Sequence, residues 1–538
     1  MEFRFLVYLL TIILILLTRT SLAITFSTSS SSKLIHRFSD ELKAFRVFKH
    51  GEKVISDSSS SSWPKRKSVE YYELLVNSDL QRQKMKLGAQ YKFLFPSKGS
   101  KTMSFGNDFG WLHYTWVDIG TPNVSFLVAL DTGSDLLWLP CNCIQCAPLS
   151  ASYYSSLDRD LTEYSPSVSS TSKHLSCSHE FCELGPNCKS PKQPCPYIAN
   201  YFSENTSSSG FLVEDTLHLA TTDDHANKSL VHAPIVIGCG RKQTGGYLDG
   251  IAPNGLIGLG LGDVSVPSVL AKAGLMHNSF SLCFNEDDSG RIFFGDQGAA
   301  TQQSTPFLPL NEIHMSYMVE VEGYCIGSSC LKQSGFQAQF DSGTSFTFLP
   351  DEVYKKVSVE FDKRVNVKRT SYEGSPWEYC YEASSQELHK IPNMTLKFNL
   401  NNSFVVHNPF FLVYEDQEVT GFCLAIQSTD LKYGTIGQNF MTGYRIVFDR
   451  ENLKVHWSHS NCEDLSDDKR ETPASSSHDK PENPLPTNEK QTPHGQAVAP
   501  AVAERTPSNP SAASTRFVPQ FCMLRWLQLL LLFLSVIY

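Results

Sequence analysis

Leu130-Asp131-Thr132-Gly133-Ser134-Asp135-Leu136-Leu137-Trp138-Leu139-Pro140 is followed much later by Phe340-Asp341-Ser342-Gly343-Thr344-Ser345-Phe346-Thr347-Phe348-Leu349-Pro350. The two stretches share the Asp, the Gly and the closing Leu-Pro, and a hydroxyl residue follows each Asp and each Gly. A second pair repeats in the same order, Gly255-Leu256-Ile257-Gly258 after the first stretch and Gly434-Thr435-Ile436-Gly437 after the second. One Asp-Thr-Gly alone reads as an ordinary turn. Two copies, each behind an apolar run and each with its echo, read as two related halves that present one carboxylate apiece. Two carboxyls held close cannot both ionise easily, so they share a proton. Such a pair can take a proton from water and give one to a carbonyl oxygen without a covalent intermediate.

The two motifs resemble those of the pepsin-like aspartic proteases, and the Cys-rich segment that follows the first is similar to the nepenthesin-type plant branch. The resemblance spans residues 105–462. It implies a mainly β, bilobal fold with the active-site cleft between two related lobes. It also implies an endopeptidase that cleaves extended protein or peptide substrates at acidic pH through water activated by Asp131 and Asp341. In that reading Gly133 and Gly343 let the loops turn tightly, and Thr132 and Ser342 tie them together. Ser134 and Thr344 hold the outer carboxylate oxygens, while Tyr201 is the tyrosine of a closing flap with Trp138 as its partner. One departure stands out: the family places Gly after that tyrosine, and here Phe202-Ser203-Glu204-Asn205 follows. Plants also contain relatives of this fold that bind or inhibit without cleaving, usually with one Asp motif damaged. Both motifs here keep every hydroxyl, which favours the enzyme. A purely structural surface glycoprotein would give no reason for paired motifs. Asp135 adds a carboxylate near the dyad and either shifts the pH profile or merely solvates a strand.

With 538 residues the chain is long for one domain, and its 41% hydrophobic content suffices for a sizeable core. The net charge of −9 is uneven: residues 24–100 hold 14 Lys+Arg against 7 Asp+Glu, so the remainder carries −16. No basic stripe lies in that acidic remainder, so nucleic acid is not an expected partner. Neither a cofactor nor a metal is expected.

Residues 1–23 read as a secretory signal, with Arg4 before the apolar run Phe5–Leu17 and small residues at Ser21–Ala23. Residues 24–100 read as a basic propeptide, with helical spacing over Glu70–Gly88; the alternative is a persistent N-terminal extension. Residues 101–300 form the expected N-terminal lobe, with a Cys-rich insert at 141–196, and residues 301–462 the C-terminal lobe. Short helical patterns fall at Val266–Gly274 and Pro350–Arg364, and a terminal hairpin at Tyr444–Trp457. Residues 463–514 are too polar to fold and suit a stalk. About 50 such residues have an r.m.s. span of roughly 40 Å.

Residues 515–538 end in an apolar tail behind Arg525, and small residues precede it. That is the pattern of a GPI-anchor signal, with one of Ser511, Ala512, Ala513 or Ser514 as the attachment site. The protein is therefore expected as a monomer on the outer face of the plasma membrane. Removing the tail discards Cys522 and leaves 14 of the 15 cysteines, enough for seven disulfides in an oxidising compartment. Disulfides are also the better reading than zinc for the seven cysteines of the insert, one of which must pair outside it or stay free. Cys325 with Cys330 and Cys380 with Cys423 are plausible pairs. Asn123, Asn205, Asn227, Asn393 and Asn401 head five glycosylation sequons.

Overall fold

The computed structural model describes residues 68–69, 71–72, 89–182, 188–201, 205–222, 228–309, 316–372, 375–407, 409–415, 418–463 and 503–504. The signal, most of the propeptide segment, Asn227, nearly all of the stalk and the anchor signal with Ser511 to Ser514 lie outside them. The chain divides into two units, Met1–Lys86 and Leu87–Tyr538. Of the first, only Ser68, Val69, Tyr71 and Tyr72 are described, and the Tyr71 N–H donates to Ser68 Oγ at 3.1 Å.

In the second unit, Val124–Asp131 is an apolar run buried on both faces, as a strand in the middle of a layer must be. It pairs antiparallel with His113–Ile119 on one side. On the other side the echo strand Leu256–Gly258 pairs parallel to it, with Gly258 opposite Asp131. The C-terminal half repeats the arrangement: Phe336–Phe340 pairs parallel with Tyr433–Ile436, with Phe340 opposite Ile436. Trp138 faces Leu256 and Phe348 faces Thr435 in equivalent antiparallel contacts. The echo glycines have a steric reason. A Cβ on Gly258 would land on the Asp135 carbonyl carbon, and one on Gly437 would come within 2.7 Å of the Phe346 carbonyl carbon. Each echo thus lies directly against the chain leaving its Asp motif.

Helices are few and short among the described residues; the longest is Asp351–Arg364. Its first turn carries Asp351 and Glu352 and its last Lys363 and Arg364, which complements the helix dipole. None of the described helices is long and apolar enough to cross a membrane.

Both ends of the body are held by long-range pairing. The packed body begins before residue 100: Leu94 and Phe95 are fully buried, Leu94 bridges Phe294, and Phe95–Pro96 pairs with Leu219–Ala220. Apolar residues at 91–95 have core to cover, so a cut at residue 100 would remove a packed edge of the sheet. The terminal hairpin, which the sequence places with the C-terminal lobe, pairs into the large sheet of the first half. Tyr444–Asp449 pairs antiparallel with Ser279–Phe284 along its whole length, and Phe280 stacks on Phe448 with ring centroids 4.7 Å apart. That shared sheet is what makes the two halves one body.

Arg445 adds a charged lock to the junction. Its guanidinium meets the buried Asp296 carboxylate at 2.5 Å, and Asp296 also accepts from Ser281 Oγ at 2.6 Å. Breaking a buried pair strands the remaining charge, which costs about 3–5 kcal/mol. Arg445→Met is therefore expected to lower the unfolding free energy by about 3 kcal/mol, read from the denaturant midpoint. Arg445→Met with Asp296→Asn should recover part of that loss.

All fourteen cysteines of the described body pair. Cys141 bonds Cys239 outside the insert, which accounts for the odd count there. Within it, Cys143 bonds Cys146, Cys177 bonds Cys188 and Cys182 bonds Cys195. The sulfurs that could have held zinc are consumed in these bonds. Cys325–Cys330 and Cys380–Cys423 join cross-strand neighbours. Cys283–Cys462 fastens the end of the body to the shared sheet.

Candidate active site

Asp131 and Asp341 stand at the ends of their strands, both fully buried, and the two loops meet face to face. The contact between the loops is reciprocal. Thr132 N–H donates to Ser342 Oγ at 3.1 Å, and Ser342 N–H donates to Thr132 Oγ1 at 2.9 Å. Thr132 Oγ1 in turn donates to Phe340 O at 3.0 Å, and Ser342 Oγ to Leu130 O at 2.8 Å. Each hydroxyl thus accepts and donates, and no buried polar group of the crossing is left over. This exchange fixes the separation of the two lobes at the point where the carboxylates sit.

Each carboxylate is held by its own loop. Gly133 N–H donates to Asp131 Oδ1 and Gly343 N–H to Asp341 Oδ1, both at 2.8 Å. Ser134 Oγ donates to the outer oxygen of Asp131, and Thr344 Oγ1 to that of Asp341 at 2.7 Å. A Cβ on Gly133 would come within 2.7 Å of Asp341 Oδ1. Only glycine lets the opposite carboxylate approach this closely.

Burial pushes both carboxyls above their ordinary value of 3.8, and for Asp131 the neighbouring Asp341 charge adds to it. The pair therefore holds a proton more tightly than isolated aspartates do. The raised carboxyls also bind protons more tightly folded than unfolded. Their contribution to stability is complete below the ordinary value and is lost as pH rises through the raised one. Asp131→Asn, which cannot ionise there, is expected to unfold at a higher temperature than the wild type at neutral pH. At about pH 3 the two should unfold together, and scanning calorimetry at both pH values checks this.

The hairpin Pro196–Tyr201 and Ser207–Thr222 brings Tyr201 close to Asp131 and Ser134. Tyr201 is buried, and its hydroxyl accepts from Trp138 Nε1 at 2.9 Å. Asn205, after the tip, takes a left-handed φ of 52°, which Asn tolerates better than most residues. Phe202 to Glu204 lie outside the described residues. Trp138→Phe removes the indole donor and leaves the phenol without it. Losing this buried hydrogen bond predicts an unfolding free energy lower by about 1 kcal/mol, read from the denaturant midpoint.

Tyr247 escaped the sequence reading. It sits in the turn Gly245–Tyr247, with its ring centroid 4.9 Å from Trp138 and 4.8 Å from Tyr201, so three aromatics rather than two back the flap. Gly246 N–H donates to Thr206 Oγ1 at 3.0 Å, which places this turn beneath the hairpin tip. Its only signal in the sequence was a Tyr among glycines shortly before the first echo. Asp135, left open above, accepts from Gly262 N–H at 2.7 Å, so it braces the turn after the echo strand. Asn123, Asn205, Asn393 and Asn401 are all exposed, as sequon asparagines need to be.

Comparison with known proteins agrees with this architecture. A family model described as "Xylanase inhibitor N-terminal" matches residues 113–296, and one described as "Xylanase inhibitor C-terminal" matches residues 316–459. The chain is 54% identical over 535 residues to aspartic proteinase-like protein 1 of Arabidopsis thaliana, covering 97% of this chain and 98% of that one. It is 26% identical to aspartic proteinase nepenthesin-2 of Nepenthes gracilis, covering 74% of this chain and 87% of that one. Among solved structures, basic 7S globulin from soybean superposes with a TM-score of 0.54 at 17% identity, over 71% of this chain and all of the other, a likeness of fold alone. With two lobes, two repeated Asp motifs and these relatives, the chain belongs to the pepsin-like aspartic protease family.

Proposed function

We propose that this protein is an acid endopeptidase. The observation that carries the reading is the pair of buried carboxylates, each held by its own Gly and hydroxyl and locked to the other by the Thr132–Ser342 exchange. With one proton on the pair, the ionised carboxyl takes a proton from a water as that water adds to the peptide carbonyl. The protonated carboxyl gives its proton to the carbonyl oxygen. Collapse of the resulting gem-diol breaks the C–N bond: the nitrogen leaves with a proton from the dyad while the ionised carboxyl takes one from a gem-diol hydroxyl, which restores one proton on the pair. Tyr201 and Trp138 form the wall that closes over the chain being cut.

A second reading, a silent binding or inhibitor protein, is favoured by the descriptions of the two matching family models. Incubating the processed protein with an unfolded polypeptide at about pH 4 separates the two, because the shared proton is available there. Internal cleavage products in the mass spectrum support the enzyme. Intact substrate retained in a stable complex contradicts it.

The terminal segments support a place on the outer face of the plasma membrane, reached by the secretory route and held by a GPI anchor, with the body acting as a monomer. Phosphatidylinositol-specific phospholipase C should release the protein from cells. Protein that stays with the membrane after treatment would contradict the anchor.

A further inference from the structure

Four of the eleven buried side-chain polar atoms without a partner among the described residues come from one place: Arg450 Nε and Nη1, Asn278 Oδ1 and Ser279 Oγ. Their backbones are neighbours where the terminal hairpin turns: Arg450 lies between Asp449 and Glu451, which pair with Ser279 and Asn278. Ser279 lies opposite Asp449 in the shared sheet, and Glu451 N–H donates to Asn278 O at 3.0 Å. Arg450 is only 6% exposed. Its Nη2 donates to two neutral oxygens, Leu261 O at 3.4 Å and Ser268 Oγ at 2.5 Å. No carboxylate pairs with it among the described residues. The flanking acids are engaged elsewhere: Asp449 accepts from Asn452 and faces His456, and Glu451 faces His277.

A guanidinium cannot shed its charge by losing a proton. Burying it beside neutral oxygens alone leaves the charge uncompensated. A water bound to these atoms would complete hydrogen bonds but would not balance the charge. An anion does both, since Arg450 and the Ser279 hydroxyl are donors and the Asn278 amide can rotate to present its N–H.

We propose that Arg450, with Ser279 and Asn278, forms a binding site for a small monovalent anion of the halide class, remote from the carboxylate dyad. A bound anion would tie the terminal hairpin, through Arg450, to Asn278 and Ser279 in the first half. It would therefore act on the cohesion of the body and not on the chemistry.

Two measurements on the full chain from a secretory host test this. In crystals soaked with bromide, the wild type should show an anomalous peak in contact with the Arg450 guanidinium. A water there, or an unfilled gap, overturns the proposal. In thermal unfolding at matched ionic strength, sodium bromide should raise the midpoint over sodium gluconate by about 3 °C, saturating with concentration, and Arg450→Met should abolish the difference. An equal bromide response in the variant overturns it as well. If Arg450→Met does not fold, the bromide map of the wild type decides alone.

Discussion

Replacing Asp131 with asparagine is expected to lower kcat/KM on peptide substrates by at least about 10⁴-fold, and Asp341→Asn by a similar factor. The reason lies in the proton count. An amide can neither accept a proton from water nor hold the one that the dyad shares, so both halves of the reaction fail together. The two changes should not multiply, because the first already removes the shared proton. Folding should survive, since asparagine can still accept from Gly133 N–H at one end of its side chain. Steady-state kinetics of the two single variants and the double variant check this, with circular dichroism as the control for folding. A double variant far slower than either single one would mean that the carboxylates act independently.

Loss of the Cys283–Cys462 bond is expected to be the most damaging single change to stability among the disulfides. It closes a loop of 179 residues, whereas Cys325–Cys330 spans only 5. Constraining the unfolded chain by the longer loop corresponds to about 5 kcal/mol, against about 2 kcal/mol for the shorter. The position adds to the effect. Cys283 lies within Ser279–Phe284, the strand that carries the terminal hairpin, and Cys462 follows that hairpin. Releasing the bond frees the end of the chain beside the sheet shared by both halves. Denaturant melts of Cys283→Ser/Cys462→Ser and Cys325→Ser/Cys330→Ser should therefore separate clearly. Equal losses would show that the unfolded chain is already compact enough to erase the loop-length difference.

The sequence was most legible where the fold repeats itself. Asp131 and Asp341, their hydroxyls and their echoes could be aligned by eye because both halves place the same residues in the same order. The structure accordingly sets each echo beside its own Asp, with Gly258 opposite Asp131 and Ile436 opposite Phe340. Legibility failed wherever a contact joined distant segments without a repeat to announce it. Tyr444–Trp457 reads as a hairpin from alternation alone, but nothing local says that it pairs with Ser279–Phe284. Cys141 had no visible reason to choose Cys239, because disulfide connectivity is set by the folded backbone. Tyr247 became part of the site only through the return of the long strand Lys228–Thr244, which carries its turn beneath the flap. The packing of Phe93, Leu94 and Phe95 is hidden in the sequence because they look like one short apolar cluster in a basic segment. Their burial against Phe293 and Phe294 depends on strands nearly two hundred residues away.

The dyad itself is tested most directly by the pH dependence of kcat/KM for the wild type and Asp131→Asn, measured side by side on one peptide. A bell-shaped profile with its maximum on the acid side, absent from the variant, is the predicted result, because activity needs one proton on the pair and not two or none. A folded, processed wild type that is inactive at every pH, or a variant that keeps the wild-type profile, would contradict the account.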